Sequence, residues 1–398
     1  MFLFAFAPLF HLLQPALAAS RDLKDNSASC DCYVTTSGSE PSYFTYHRFW
    51  DFRNLATAPD QYTRAPRLLT DADSSGNELS RDQSFLNSSD WNADWDIQDW
   101  TKEATDEFPI RTQNSPANVY IAQNATESDD NSIPPTWLTL RTSRLDDFQS
   151  AAEIENLQKN LLHASLRFLA RVRGDPGAVA GLFTFFDETN ESDIEILTGD
   201  ANRTWRFTNQ PSLDKTGDEV AGASIEAPRL PEWRDWREMR IDWVPGVSRW
   251  YVDGEQVAEN TYSVPRKPSG LILNMWSDGG EWSGEMDVGG SAELHVGWVQ
   301  MVFNTSGPVE GPGEGRGGRY GSSKRSLSSV EESTPEIHQL VPRKGAKACK
   351  VVCAVDGTEQ EGVPEVVFTA SAARSIWPAL RLGGIITWLA LWIAYTIL

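Results

Sequence analysis

What most constrains the fold of this 398-residue chain is a succession of short runs rich in β-branched and aromatic residues, with no long 3.6-residue hydrophobic period between Ser20 and Asn304. Leu166-Arg-Phe-Leu-Ala-Arg-Val, Ala180-Gly-Leu-Phe-Thr-Phe-Phe, Met239-Arg-Ile-Asp-Trp, Ser248-Arg-Trp-Tyr-Val, Leu271-Ile-Leu-Asn-Met-Trp and Leu294-His-Val-Gly-Trp-Val-Gln-Met-Val each read as a strand. Between Val252 and Val257, Asp253-Gly254 signals a tight hairpin. A region of roughly 280 residues patterned this way is an all-β sandwich or barrel, the architecture that buries many short strands without helices.

Hydrophobic residues make up 40% of the chain and aromatics 11%, which excludes disorder of the whole. The net charge of -21, from 35 basic and 56 acidic residues, repels a phosphate backbone and an anionic lipid surface, so nucleic acid is not an expected partner. Four cysteines are too few for a disulfide-built scaffold, and the core must come from packing. His47, His163, His295 and His338 show no ligand spacing, so neither a catalytic metal nor another cofactor is expected. The chain is expected to be a monomer.

The two ends read as addresses. Phe2 to Leu13 is apolar and is followed by Ala16-Leu17-Ala18, the layout of a cleavable secretory signal over residues 1–18; the other reading is a buried N-terminal helix. Ile385 to Leu398 is apolar to the last residue, short of the ~20 residues that a spanning helix needs. Small residues Ser371-Ala372-Ala373 and a spacer precede it, as in a glycosylphosphatidylinositol attachment signal over 374–398; a tilted membrane helix from Ile376 that encloses Arg381 is the alternative. Both signals imply the secretory route, an oxidising compartment and a place at the outer membrane face or cell wall. Sequons at Asn87, Asn124, Asn190, Asn202 and Asn304 agree, and Asn190 is expected to stay unmodified because strand alternation turns it away from its neighbour Glu191 into packed protein. Residues 305–347 are Gly-, Pro- and Ser-rich and read as a flexible linker with a dibasic processing site at Lys324-Arg325; 348–373 form a cysteine-bearing tail.

Chemistry concentrates in Asn190-Glu191-Ser192-Asp193-Ile194-Glu195-Ile196-Leu197. In a strand, Glu191, Asp193 and Glu195 share one face while Ile194 and Ile196 point to the core. Three carboxyls in a row repel one another, which lets one stay protonated beside an ionised neighbour, as glycoside hydrolysis with retention requires. On a flat strand the two glutamates stand about 13 Å apart at Cα, so twist and long side chains must close the gap to the 5–5.5 Å that retention uses. Taken alone, the octapeptide reads first as a solvated strand face, because such alternation is ordinary in half-exposed sheets.

The whole body from about Tyr43 to Asn304 resembles glycoside hydrolase family 16, whose signature runs Glu, aliphatic residue, Asp, hydrophobic residue, Glu. Glu191-Ser192-Asp193-Ile194-Glu195 fits it, with Ser192 in the aliphatic place. Ala170-Arg-Val-Arg and Gly181-Leu-Phe-Thr-Phe-Phe precede the signature; Ile241-Asp-Trp-Val-Pro, Arg249-Trp-Tyr-Val-Asp-Gly, Pro268 through Trp276 to Trp282, and Gly297-Trp-Val-Gln follow it in order. The resemblance implies a concanavalin A-like jelly-roll sandwich that holds a β-glycan. It implies Glu191 as nucleophile, Glu195 as general acid/base and Asp193 as the residue that tunes the nucleophile. It also marks Trp205, Trp276 and Trp282 as sugar-stacking candidates, with core packing as the other reading for each. Asn209 and Gln210 are candidates to bond sugar hydroxyls, or else form a turn before Pro211.

The expected activity is a retaining glycosidase acting on cell-wall β-1,3 or mixed β-1,3/1,4 glucan, by hydrolysis or by transfer with chitin as an acceptor; the alternative is an inactive, lectin-like surface protein. Cys30 and Cys32 are poorly placed to bridge each other, so each is expected to pair with Cys349 or Cys353.

Overall fold

Alternation of large apolar and polar residues along the strands stacks two sheets with their apolar faces together, a jelly-roll-type sandwich. The computed structural model describes residues 30–58, 60–68, 83–124, 133–309 and 349–370. The secretory signal, Lys324-Arg325 with most of the linker, and the terminal apolar segment lie outside the described residues.

The first sheet runs Ser224–Ala227, Trp205–Asn209, Asn190–Leu197, Val179–Asp187, Gly270–Trp276, Gln149–Asn156 and Trp95–Ile97, each strand antiparallel to the next. The second runs Glu255–Asn260, Val247–Val252, Arg237–Val244, Leu161–Gly174 and Ser291–Thr305. Along its far side, Ser291–Thr305 pairs with Thr136–Arg144 over one half and Tyr46–Asp51 over the other. Gln149–Asn156 begins beside Thr136–Arg144 and ends beside Gly270–Trp276, so it turns the corner between the sheets. All six runs picked out above lie within strands. Asp253 and Gly254 close their hairpin with φ of 50° and 82°, the left-handed pair that a two-residue turn demands.

Between the sheets lie Ile194, Ile196, Leu182, Leu271, Leu273, Phe168, Phe207, Trp243 and Trp250, all without solvent exposure. The Asp- and Trp-rich stretch from Ser89 to Trp100 is a short helix, Ser89–Asn92, whose Ser88 hydroxyl accepts the Trp91 N–H, followed by the strand Trp95–Ile97. It sends Trp91 and Trp95 into the core, stacked 5.9 Å apart, and leaves Trp100 exposed.

The cysteine-bearing tail folds back onto the body. Val351–Ala354 lies parallel to Cys32–Ser37 in a four-stranded sheet flanked by Glu40–Phe44 and Glu365–Thr369. Cys30 bridges Cys353 and Cys32 bridges Cys349, the cross-pairing expected of the two ends. Asp356 accepts hydrogen bonds from Thr35 Oγ1 and the Thr36 N–H and pairs with Arg167 and Arg240 at 2.5 and 3.4 Å, which seats the tail on the outer face of the second sheet. Asn190 is buried: its amide donates to Asp187 and accepts the Arg266 N–H. Asn87 is exposed, whereas Asn124, Asn202 and Asn304 are half-buried.

Candidate active site

Register decides which side chains meet. Glu191, Asp193 and Glu195 project from the outer face of the first sheet, while Ser192, Ile194 and Ile196 are fully buried on the inner face. Phe185, Phe183 and Gly181 stand opposite the three acids on one neighbouring strand; Thr208 and Arg206 stand opposite Asp193 and Glu195 on the other. Gly181 leaves room for the Asn274 side chain on this face: a Cβ there would lie 2.6 Å from Asn274 Oδ1, which would have to move. Ser192, in the place where the resemblance leads one to expect an aliphatic residue, donates across the sandwich to the Ser248 hydroxyl at 3.2 Å, so its polar group is satisfied in the core.

Asp193 faces away from the core yet is 2% exposed, covered by its neighbours, while Glu191 and Glu195 on either side are half-buried. Burial first, and then the Coulombic repulsion of Glu191 and Glu195, pushes the Asp193 carboxyl up. Burial, with the charges of Glu195 and Glu188 adding to it, pushes Glu191 up to about 8, against the pull of its interaction with Asp193, which favours the proton on Asp193. Burial also pushes Glu195 up to about 7, against the opposing pull of Trp282, Arg206 and Thr208. Three acids that hold fewer than three charges near neutrality suit a mechanism in which one donates a proton while another attacks.

Around the trio, Trp282 Nε1 donates to Glu195 Oε1 at 3.1 Å, and the ring is 37% exposed. Gln210 accepts the Ser212 N–H, which turns its amide nitrogen toward Asp193 Oδ2 at 3.4 Å. Both residues are therefore at the site. Trp205 and Asn209 are not. The pairing of Glu195 with Arg206 places residues 206 and 208 on the outer face, so Trp205 and Asn209 point inward with no exposure. Trp205 donates to the Pro231 carbonyl and Asn209 to the Tyr262 carbonyl.

Trp276 is half-buried on the same face, two strands from the trio and level with Leu197, where it lines a cavity of about 170 Å3 with Trp100, Glu153, Asn274 and Asp278. Glu153 accepts from Trp100 Nε1 at 3.1 Å and from the Asn274 amide at 3.4 Å, and burial raises its carboxyl despite both bonds. Arg206, Thr208, Trp100, Glu153 and Asn274 escaped the sequence reading. Glu153 is signalled only by the alternation of Ala152-Glu153-Ile154-Glu155, and Arg206 by a register that no local pattern carries. A larger cavity of about 540 Å3 lies on the opposite face, under the tail; its Arg167, Arg240 and Asp356 are occupied with one another. Among the described residues no group of three or more His, Cys, Asp or Glu side chains is placed to hold a metal ion.

No family model matches the chain. In sequence it is similar to a β-glucanase of Bacillus subtilis, 25% identical over 133 residues, which cover 32% of this chain and 52% of that protein. It is also similar to a β-glucanase of Paenibacillus macerans, 24% identical over 135 residues, 32% of this chain and 54% of that one. A third relative is Crh-like protein 2 of Aspergillus fumigatus, 29% identical over 127 residues, 28% of each chain. The chain thus spans about half the length, or less, of these curated relatives. Among solved structures, a Bacillus licheniformis β-glucanase superposes with a TM-score of 0.41 at 18% identity, over 53% of this chain and 93% of that one. The endo-β-1,3-glucanase of Pyrococcus furiosus does so with a TM-score of 0.43 at 15% identity, over 69% and 99%. The chain's relatives in sequence are therefore β-glucanases and a fungal Crh-like protein, in agreement with its resemblance to glycoside hydrolase family 16.

Proposed function

We propose that this protein is a retaining glycosidase that cleaves β-glucan chains on the sheet face that carries Glu191, Asp193 and Glu195, and that it also transfers the cleaved chain to a second saccharide. The observation that carries the reading is the trio itself: three carboxyls on one strand face, the central one buried between two half-buried glutamates, with the last bonded to the exposed Trp282. Glu191 attacks the anomeric carbon and Glu195 protonates the departing glycosidic oxygen. Glu195, now ionised, takes the proton from an incoming hydroxyl, and the covalent bond to Glu191 breaks. Asp193 holds Glu191 through a shared hydrogen bond, so that charge is spread as the ester forms. Water as the incoming group gives hydrolysis, and a sugar hydroxyl gives transfer. The relatives named β-glucanase support a glucan substrate, and transfer, with chitin among the acceptors, enters the proposal because the second step takes its proton from any hydroxyl that reaches Glu195. The secretory signal, the disulfides and the terminal attachment signal support a location at the outer surface of the cell.

The test incubates the protein with laminarin-type and mixed-linkage oligosaccharides, with and without labelled chito-oligosaccharides, beside Glu191→Gln and Glu195→Gln, and reads the products by mass spectrometry. Shortened or elongated products that vanish in both variants are the expected result. Unchanged glycans that nevertheless bind would overturn the reading in favour of a lectin-like protein.

A further inference from the structure

Arg206 is a cation set beside the acid/base carboxyl and held away from pairing with it. It stands directly opposite Glu195 in the register, but its guanidinium forks onto Asp200, at 2.9 and 3.2 Å, and meets Glu226 at 3.2 Å. Asp200 lies just beyond the end of the catalytic strand, its N–H bonded to the Leu197 carbonyl, and Glu226 lies opposite Arg206 on the next strand, so the guanidinium is fixed from both sides. Its remaining face lies 5.0 Å from the centroid of the Trp282 ring. Trp282 belongs to the irregular stretch after Gly270–Trp276, not to a strand, and its ring meets Arg206 on its face and Glu195 through its N–H. A leaving or accepting saccharide must extend past Glu195, because that carboxyl protonates the bond that joins it. The indole beside that carboxyl is 37% exposed.

We propose that Arg206 is a positioning residue: stacked under Trp282, it holds the indole as the platform for the leaving or accepting sugar and, through the indole N–H, fixes Glu195 in its working orientation. This rests on the glycosidase reading given above. Arg206 touches no reacting atom. It acts through Trp282 and through the field of its charge on Glu195.

The test compares the full chain with Arg206→Gln, which removes the charge, with Arg206→Lys, which keeps the charge and loses the planar fork, and with Trp282→Phe, which keeps a ring and loses the N–H. Two readouts are taken: the titration of Glu195 by carboxyl carbon NMR, assigned with Glu195→Gln, and kcat/KM against pH on glucan oligosaccharides and on an aryl glycoside with a good leaving group. In Arg206→Gln the Glu195 midpoint and the alkaline limb of kcat/KM move to higher pH together, since a cation that favours the carboxylate is gone. Oligosaccharide kcat/KM falls about tenfold, the scale of a partly buried cation–π contact, while the aryl glycoside keeps its rate within about twofold. Arg206→Lys restores the midpoint and not the oligosaccharide rate, and Trp282→Phe raises the midpoint with less loss on oligosaccharides than Arg206→Gln. An unmoved midpoint in Arg206→Gln, or an equal loss on both substrates, would overturn the proposal. Should Glu195→Gln leave turnover intact, the glycosidase reading fails instead; the NMR titration still decides whether Arg206 acts on Glu195.

Discussion

The two disulfides that fasten the tail should be redundant, so that removing either one costs far less than removing both. Cys30–Cys353 and Cys32–Cys349 join residues 323 and 317 positions apart. Closing a loop of that length in the unfolded chain removes entropy equivalent to about 6 kcal/mol at 25 °C. Once either bridge is formed, the other joins residues already neighbours: 30 and 32 are two positions apart, 349 and 353 four, so it closes a ring of about six residues, for about 2 kcal/mol. Cys30→Ser with Cys353→Ser, or Cys32→Ser with Cys349→Ser, should then cost about 2 kcal/mol, and the fourfold variant about 8. At roughly 2–4 °C per kcal/mol for a domain of this size, thermal unfolding without reductant should show one modest and one large drop in Tm. The cleft should keep its activity below these midpoints, because the tail packs on the second sheet and the acids face out of the first. Costs for the two pairs that simply add up to the fourfold value would refute the loop-closure reasoning.

Two further outcomes follow from the site. Glu195 lies at about 7 in the folded protein, above its ordinary 4.5, so its contribution to stability is full below about pH 4.5 and is lost as pH rises through 7. Glu195→Gln should therefore raise Tm at pH 8 and lose that gain by pH 4, as read by calorimetry at the two pH values; an equal gain at both would contradict the burial argument. Trp205→Phe removes a buried N–H bonded to the Pro231 carbonyl, so Tm should fall by an amount equivalent to about 1–3 kcal/mol with KM unchanged, whereas Trp282→Ala should impair oligosaccharide turnover with Tm little altered. The opposite pattern would return Trp205 to the cleft.

The strands, their hairpin and the shared face of the three acids were legible in the sequence, because each depends on local chemistry: period-two alternation, Asp-Gly turn geometry and the direction of Cβ along a strand. The pairing of the two chain ends was legible too, because Cys30 and Cys32 stand too close along the chain to bridge each other. What alternation could not supply was the register between strands. Trp205 and Asn209 lie within a few residues of Arg206 and Thr208, and only the pairing of Glu195 with Arg206 decides which pair faces the acids. The same holds for Trp100 and Glu153, 53 residues apart yet hydrogen-bonded, and for Trp282 and Glu195, 87 apart. A strand's own residues determine which side chains share a face, whereas which face meets which neighbour is set when distant strands pair and exclude water between them.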